Sequence, residues 1–120
     1  QKKYAEAAEV LRPMTAGDAP NVSAANDMAW LLATAPDDRV RNGAEALRLA
    51  EAANRGMSQK NPRVLDTLAA AQAEAGRFDD AIRTVDEAIA LAAQAGDDAF
   101  LDALRQRRAR YEARQPWRME

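Results

Sequence analysis

Paired carboxylates are the first residues in this chain that could do chemistry, because two neighbouring carboxylates can divide general acid and base work or bind calcium. Such pairs occur at Asp37-Asp38, Asp79-Asp80 and Asp97-Asp98. Each pair lies in a predicted turn or at a predicted helix start, where aspartate caps free backbone amides. Adjacent helical residues also point in different directions, so the two carboxylates do not converge on one ligand. We expect no catalytic and no calcium-binding role for them.

The residue types that most often carry catalysis are missing from the sequence. The 120 residues include no histidine and no cysteine. This removes the commonest general base, thiolate nucleophiles, disulfides and thiolate metal ligands. The sequence therefore predicts a non-catalytic chain with no metal and no cofactor. The lack of cysteine does not identify a compartment.

An arginine-rich run, RQRRAR at 105–110, is a dense block of positive charge that could dock nucleic acid or a membrane surface. Three aspartates open the same predicted helix, and acids at the start with bases at the end complement the helix dipole. Leu101, Leu104 and Tyr111 give the helix an apolar stripe. We expect a capping helix that covers the preceding helices, with a basic docking patch as the alternative. The net charge of −2 argues against nucleic acid, and no apolar run approaches the roughly 20 residues of a membrane span.

The elements that must position these residues are all helical. Apolar residues recur at i, i+3, i+4 and i+7, and strand-like alternation is absent. The pattern predicts six helices, at about 2–12, 22–35, 43–55, 61–76, 78–94 and 97–114. Asn21 and Asn61 are predicted N-caps, the latter followed by a proline at the first helical position. Gly56 and Gly76 are predicted to end helices in a left-handed conformation. Phe78 is predicted to fold back on its hairpin.

A repeat runs through these helices. Ala46 lies 35 residues before Ala81, and Ala53 lies 35 residues before Ala88. The spacing predicts that one helical hairpin recurs, with an insertion of about five residues in the turn of the first unit. In the second unit, small residues are expected where the two helices cross closely and large ones beside them. The predicted contact residues are Leu65, Leu68 and Ala69 on one helix and Ala81, Val85 and Ala88 on the next.

The fourth and fifth helices read Leu65-x2-Leu68-Ala69-x2-Gln72 and then Ala81-x3-Val85-x2-Ala88. This resembles the tetratricopeptide repeat (TPR) family, whose pattern is W-x2-L-G-x2-Y, then A-x3-F, then P, over 34 residues. The second and third helices match more loosely. With the closing segment RYEARQPWR, the chain is similar to a bacterial subtype in which the repeats end a longer protein. The resemblance implies an all-α solenoid of antiparallel helical hairpins with a C-terminal capping helix.

The resemblance divides the chain into four parts. Residues 1–20 would be a half-repeat, the second helix of a preceding hairpin, with Pro20 where the family has its proline. Residues 21–56 and 57–95 would be two hairpins, the first with the insertion. Residues 96–120 would be the capping helix and tail. A half-repeat leaves an uncovered edge, so we expect residues before Gln1 to continue the solenoid or join it to another domain. The isolated 120 residues are expected to self-associate through the helix around Tyr4–Leu11, or that helix is expected to fray.

The resemblance also implies a binding surface. In a solenoid of this kind the first helix of each hairpin lines a concave face that can hold a partner's peptide or helix. The predicted partner-binding residues are Asn26, Asp27, Trp30, Arg63, Asp66, Thr67 and Glu74. One family subtype clamps C-terminal carboxylates with lysines, and we exclude that version because Asp27 and Asp66 occupy this face instead. An ordinary solvated face is the alternative. For Trp30 the alternatives are an anchor for the partner and, the favoured one, a side chain packed under the insertion around 36–42.

The function implied is protein–protein interaction or scaffolding, with a protein or peptide partner or another domain of the same chain. The alternative is an accessory domain of a larger enzyme or cofactor-carrying protein, where the helices dock the catalytic part or build an oligomer. Fold alone does not separate these.

Overall fold

The computed structural model describes residues 2–15, 21–57 and 59–119, and within these ranges the chain forms α-helices and no β-strand. The helices are α1 Lys2–Leu11, α2 Val22–Thr34, α3 Gly43–Arg55, α4 Pro62–Glu74, α5 Phe78–Ala95 and α6 Asp98–Glu112, with a 3₁₀ turn Arg12–Thr15 after α1. The all-helical prediction is confirmed, and the predicted helix ends lie within about two residues of these bounds. No helix in the described ranges is both long and apolar enough to cross a membrane.

Asparagine and aspartate side chains begin four of the helices by accepting hydrogen bonds from amides that have no partner inside the helix. The Asn21 side chain accepts from the Ala24 amide at 3.0 Å, and Asn61 does the same at the start of α4, where Pro62 occupies the first turn. Both N-caps are confirmed. Asn42 and Asp97 cap α3 and α6 in the same way.

Two glycines predicted to be left-handed turn out to differ. Gly76 has φ +82°, as predicted. Its amide donates a hydrogen bond to the carbonyl of Ala73, and the amide of Arg77 donates to the carbonyl of Gln72. This pair of hydrogen bonds defines a Schellman turn. Gly56 has φ −74°, so that prediction is wrong. A Cβ on Gly56 would lie 2.5 Å from Cγ2 of Val22, and glycine is therefore needed there for close packing rather than for a left-handed turn.

Helix α4 is the centre of the fold, and it is buried on two sides. One side carries Leu65, Ala69 and Ala73, which pack in one cluster with residues of α5 and α6. The other side carries Val64 and Leu68, which pack in a second cluster with α2 and α3. The prediction that Leu68 faces α5 together with Leu65 is therefore wrong. Leu68 lies three residues after Leu65 on a helix with neighbours on two sides. This offset is enough to turn its side chain away from α5 and α6 and toward α2 and α3.

The remaining helices pack on their neighbours in the chain. Helix α2 packs on α3 and α4, and α5 packs on α4 and α6. Leu101, Leu104 and Tyr111, the predicted apolar stripe of α6, are all buried in the cluster that holds Val85. Phe78 is half-buried against the same cluster, as predicted. Helix α6 is thus fixed to the body of the protein by the face that the sequence predicts.

The segment after α6 returns to α2. The chain turns at Arg114, which has φ +59°, and the amide of Met119 then donates to the carbonyl of Thr34 at 2.8 Å. The guanidinium of Arg118 donates to Glu74 at 2.7 Å and to the carbonyl of Ala33 at 3.4 Å. This tail, residues 113–119, therefore ties the end of α6 to the ends of α2 and α4.

Candidate binding groove

A concavity of about 560 Å³ opens between α1, α2, α4, α6 and the tail. We call it the groove. Its wall is formed by Tyr4, Ala7, Leu11, Asn26, Asp27, Trp30, Leu31, Arg63, Asp66, Thr67, Phe100, Arg107 and Met119. Six of the seven residues that the sequence singles out lie in this wall, Glu74 being the exception. The two helices predicted to share a face, α2 and α4, therefore do share one.

Large apolar side chains cover much of the groove. Trp30 and Leu31 of α2 face it together with Tyr4 and Leu11 of α1 and Phe100 of α6. Trp30, Tyr4 and Leu11 are only half-buried, although they pack on the main core. Half-buried aromatic and aliphatic groups beside polar ones are the usual composition of a binding surface.

Arg107 of α6 lies between two tryptophans. Its guanidinium carbon is 5.0 Å from the ring centre of Trp30 and 5.3 Å from that of Trp117. The same guanidinium donates to Oδ2 of Asp66 at 2.6 Å. Cation–π attraction and a charge-assisted hydrogen bond thus hold one side chain from three directions. This arrangement fixes the orientation of Trp30 at the groove.

Asp66 is the buried acid of the groove wall, with 6% of its surface exposed. Loss of hydration raises its pKa to about 6, and the attraction of Arg107 only partly offsets that rise. Its second oxygen, Oδ1, is buried and receives no hydrogen bond from the described part of the chain. Burial also raises the pKa of the neighbouring Tyr111 hydroxyl, and the Asp66 carboxylate adds to the effect.

Arg63 of α4 repeats the arrangement at the other end of the groove. Its guanidinium carbon lies 4.2 Å from the ring centre of Phe100, and it donates to Oδ2 of Asp97 at 3.1 Å. The hydroxyl of Thr67, one helical turn along, donates to the carbonyl of Arg63 at 3.2 Å. Both groove arginines are therefore stacked on an aromatic ring and paired with an aspartate.

The polar side chains of α2 at the groove make fewer hydrogen bonds and ion pairs than the two arginines. Asp27 is exposed at the groove, and no hydrogen bond or ion pair links it to another residue of the described ranges. The side-chain oxygen of Asn26 is buried and accepts nothing from those residues. Asp27 on the α2 side of the groove therefore offers an open carboxylate, while the arginines of α4 and α6 are already paired with aspartates.

The structure places Trp30 and Glu74 differently from the favoured expectations. Trp30 stands in the groove wall against Arg107, whereas the insertion closes on the backbone of α2 through the bond from the Asn42 amide to the Leu32 carbonyl. Glu74 binds Arg118 of the tail and lies 3.7 Å from Arg41 of the insertion. Glu74 is thus a structural link between the tail, α4 and the insertion, outside the groove.

The arginines of α6 and the tail are mostly committed to acidic partners within the chain. Arg108 pairs with Asp86 and Glu112, Arg114 pairs with Asp79, and Arg118 pairs with Glu74. Within the arginine run, carboxylates therefore neutralise Arg107 and Arg108, while Arg105 is exposed and Arg110 donates to the carbonyl of Pro116. This weakens the docking-patch alternative.

Aspartates of all three pairs also accept hydrogen bonds from other residues of the chain. Asp37 accepts from the Arg39 amide and guanidinium, a contact that lowers the pKa of Asp37. Asp80 pairs with Arg83, and Asp97 caps α6. In the described part of the chain, no three acidic, histidine or cysteine side chains come together to hold a metal.

Comparison with models of protein families, with curated proteins and with solved structures finds no match for this chain. The likeness to the TPR pattern therefore rests on the spacing of the residues quoted above.

Seven groove residues are not among the partner-binding candidates of the sequence: Tyr4, Ala7, Leu11, Leu31, Phe100, Arg107 and Met119. Tyr4 and Phe100 could have been found as aromatic residues at predicted helix faces. Arg107 and Met119 gave no local signal, because their partners lie 41 and 85 residues away in the chain, at Asp66 and Thr34. Only the packing of α6 and the tail brings them to the groove.

Proposed function

We propose that the chain is a TPR-like α-solenoid that acts as a non-catalytic protein–protein interaction or scaffolding module and holds a segment of its partner in the groove. The observation that carries this proposal is the half-buried Trp30 in a groove wall that also contains unengaged polar groups. Aromatic residues held rigidly beside polar groups are typical anchors for partners.

The packing of the helices supports the solenoid part of the proposal. Each helix packs on the next, and α2 also packs on α4, as stacked hairpins require. Helices α2, α4 and α6 contribute side chains to one concavity, as the first helices of successive hairpins would. Helix α1 also reaches the groove, a contribution that the half-repeat interpretation of residues 1–20 does not predict.

The test is selection from a random peptide library displayed on phage, carried out with the wild-type protein and with Trp30→Ala. The proposal predicts peptides that bind wild type and lose at least about tenfold in affinity for Trp30→Ala, since buried aromatic anchors contribute about 2 kcal/mol or more. Binders that ignore this substitution, or no binders at all, would contradict the proposal.

A matched control separates loss of the anchor from loss of stability. Ile82 of α5 is half-buried against the other core cluster and lies outside the groove. Ile82→Ala should lower the free energy of unfolding by an amount comparable to Trp30→Ala, yet keep peptide affinity at temperatures well below the melting transition. Equal loss of binding in both variants would show that the effect is only one of folding.

A second candidate, an oligomerisation or docking domain, is favoured by one observation. Val10 of α1 is 66% exposed, and it lies on the helix around Tyr4–Leu11 through which the repeat pattern predicts self-association. Sedimentation velocity of wild type and Val10→Ser tests this. An oligomer that dissociates on substitution supports it, and a monomer at every concentration contradicts self-association.

A further inference from the structure

Three of the four charged side chains of the groove wall already have a partner of opposite charge. The wall contains two arginines, Arg63 and Arg107, and each is already paired, with Asp97 and Asp66 respectively. Asp27 remains as an exposed carboxylate without a cation among the described residues. An anionic ligand would have to compete for arginines that are in use, while a cation finds a free partner.

Buried polar atoms without partners at the groove wall include both acceptors and a donor. Asp66 lines the groove with 6% of its surface exposed, and its Oδ1 has no donor from the described ranges. Nε of Arg107 is also buried and has no acceptor in those ranges, so these buried atoms favour neither a donor nor an acceptor in a ligand. The preference of the groove rests on Asp27, whose exposed carboxylate is open to a positive charge.

We propose that the segment held in the groove carries a basic side chain next to a bulky apolar one. This inference rests on the proposed function and adds the chemistry of the partner. The basic group pairs with Asp27 at the exposed edge of α2. The apolar neighbour lies against Trp30, Leu31 and Met119.

Apolar contact alone does not select this partner, because any hydrophobic segment could cover Trp30 and Leu31. Asp27 lies three residues before Trp30 on α2, so the two side chains are neighbours on one helical face. A ligand that satisfies both must place its charge and its apolar group side by side. This spacing is what distinguishes a basic–apolar segment from a purely hydrophobic one.

The test uses two synthetic peptides made from the tightest library binder that depends on Trp30: the peptide itself and a copy in which arginine is replaced by citrulline, or lysine by its acetylated form. Wild-type protein should bind the charged peptide about 5- to 20-fold more tightly than the neutral copy, as charge-assisted contacts at an interface do. The preference should shrink as salt rises from about 0.05 to 0.5 M, because salt screens exposed charges.

Asp27→Asn should remove most of that preference, since it lowers affinity for the charged peptide and leaves the neutral copy within about twofold. The matched control is Glu51→Gln, which removes an exposed carboxylate from α3 outside the groove. It should leave both affinities unchanged.

The outcomes distinguish this inference from the proposed function. Trp30-dependent binders that lack basic residues, or that bind equally well after neutralisation, would overturn the basic–apolar partner and leave the interaction module standing. A charge preference that survives Asp27→Asn would overturn the assigned contact. Failure to find any Trp30-dependent peptide would remove both proposals together.

Discussion

Asp66 is the residue at which the fold and the pH of the solution are coupled. Its pKa is about 6 in the folded chain, against the ordinary value of 3.8, because burial disfavours the carboxylate more than Arg107 favours it. The folded state therefore holds this proton more tightly than the unfolded state. By linkage, its contribution to stability is fully present below about pH 4 and is lost as the pH rises through about 6.

We expect the wild-type free energy of unfolding, relative to that of Asp66→Asn, to fall by about 1–3 kcal/mol between about pH 4 and pH 7. Urea unfolding of both proteins across this range measures the difference. Asp37 and Glu45, whose pKa values are lowered by Arg39 and Arg48, act in the opposite direction but are present in both proteins and cancel. A difference that is independent of pH, or that grows with pH, would show that Asp66 is ionised in the fold without penalty.

Gly56 tests the packing between α3 and the start of α2. A methyl group there would meet the Val22 side chain at 2.5 Å, so Gly56→Ala should destabilise the protein by about 1–3 kcal/mol through overpacking. The double variant Val22→Ala, Gly56→Ala removes the clash, and the cost of the glycine substitution should then fall below about 1 kcal/mol. Thermal or urea unfolding of the three proteins decides. The same cost in both backgrounds would mean that backbone conformation, and not Val22, selects the glycine.

At the scale of the element, α6 is part of the core through its apolar face. Leu104 is fully buried against α5, while its neighbour Arg105 is exposed with a loose ion pair to Asp102 at 3.9 Å. Leu104→Ala should lower the free energy of unfolding by about 2–5 kcal/mol, and Arg105→Ala should stay within about 0.5 kcal/mol. Chemical denaturation measures both. Similar small effects at the two positions would mean that α6 is not docked as described.

The helices were largely predictable from the sequence because their signals are local. The asparagine caps, Pro62, Gly76 and the period of the alanines lie within each helix or beside it, so the predicted bounds nearly match those observed. The prediction for Leu68 is wrong because α4 has apolar residues on two sides, and the periodicity of such a helix does not say which neighbouring helix each side meets.

The groove was only half predictable for a related reason. Residues of α2 and α4 could be placed on one face because the repeat puts equivalent helices side by side. The contributions of α6 and the tail depend on contacts between distant parts of the chain, such as Arg107 with Asp66 and Arg118 with Glu74. A single sequence has no pattern that links such partners.

At the scale of the whole molecule, the tail connects the last helix to α2 and α4. The guanidinium of Arg118 donates hydrogen bonds to Glu74 of α4 and to the carbonyl of Ala33. The amide of Met119 donates to the carbonyl of Thr34 next to them. Arg118→Ala should therefore lower the free energy of unfolding by about 1–2 kcal/mol, as the loss of a partly buried charge-assisted hydrogen bond does. Hydrogen exchange should speed up at the ends of α2 and α6 together. Faster exchange in the tail alone would show that it does not support the helices.

The groove is built by α1, α2, α4, α6 and the tail, so its shape depends on the whole molecule. The central claim is that a partner segment binds there. The most direct test is an NMR titration of the ¹⁵N-labelled protein with the tightest selected peptide. We predict chemical-shift changes at Asn26, Asp27, Thr67 and the Trp30 indole, with none on the outer face of α5 around Arg83. Changes centred on α5, or no saturable change at the groove, would contradict the account.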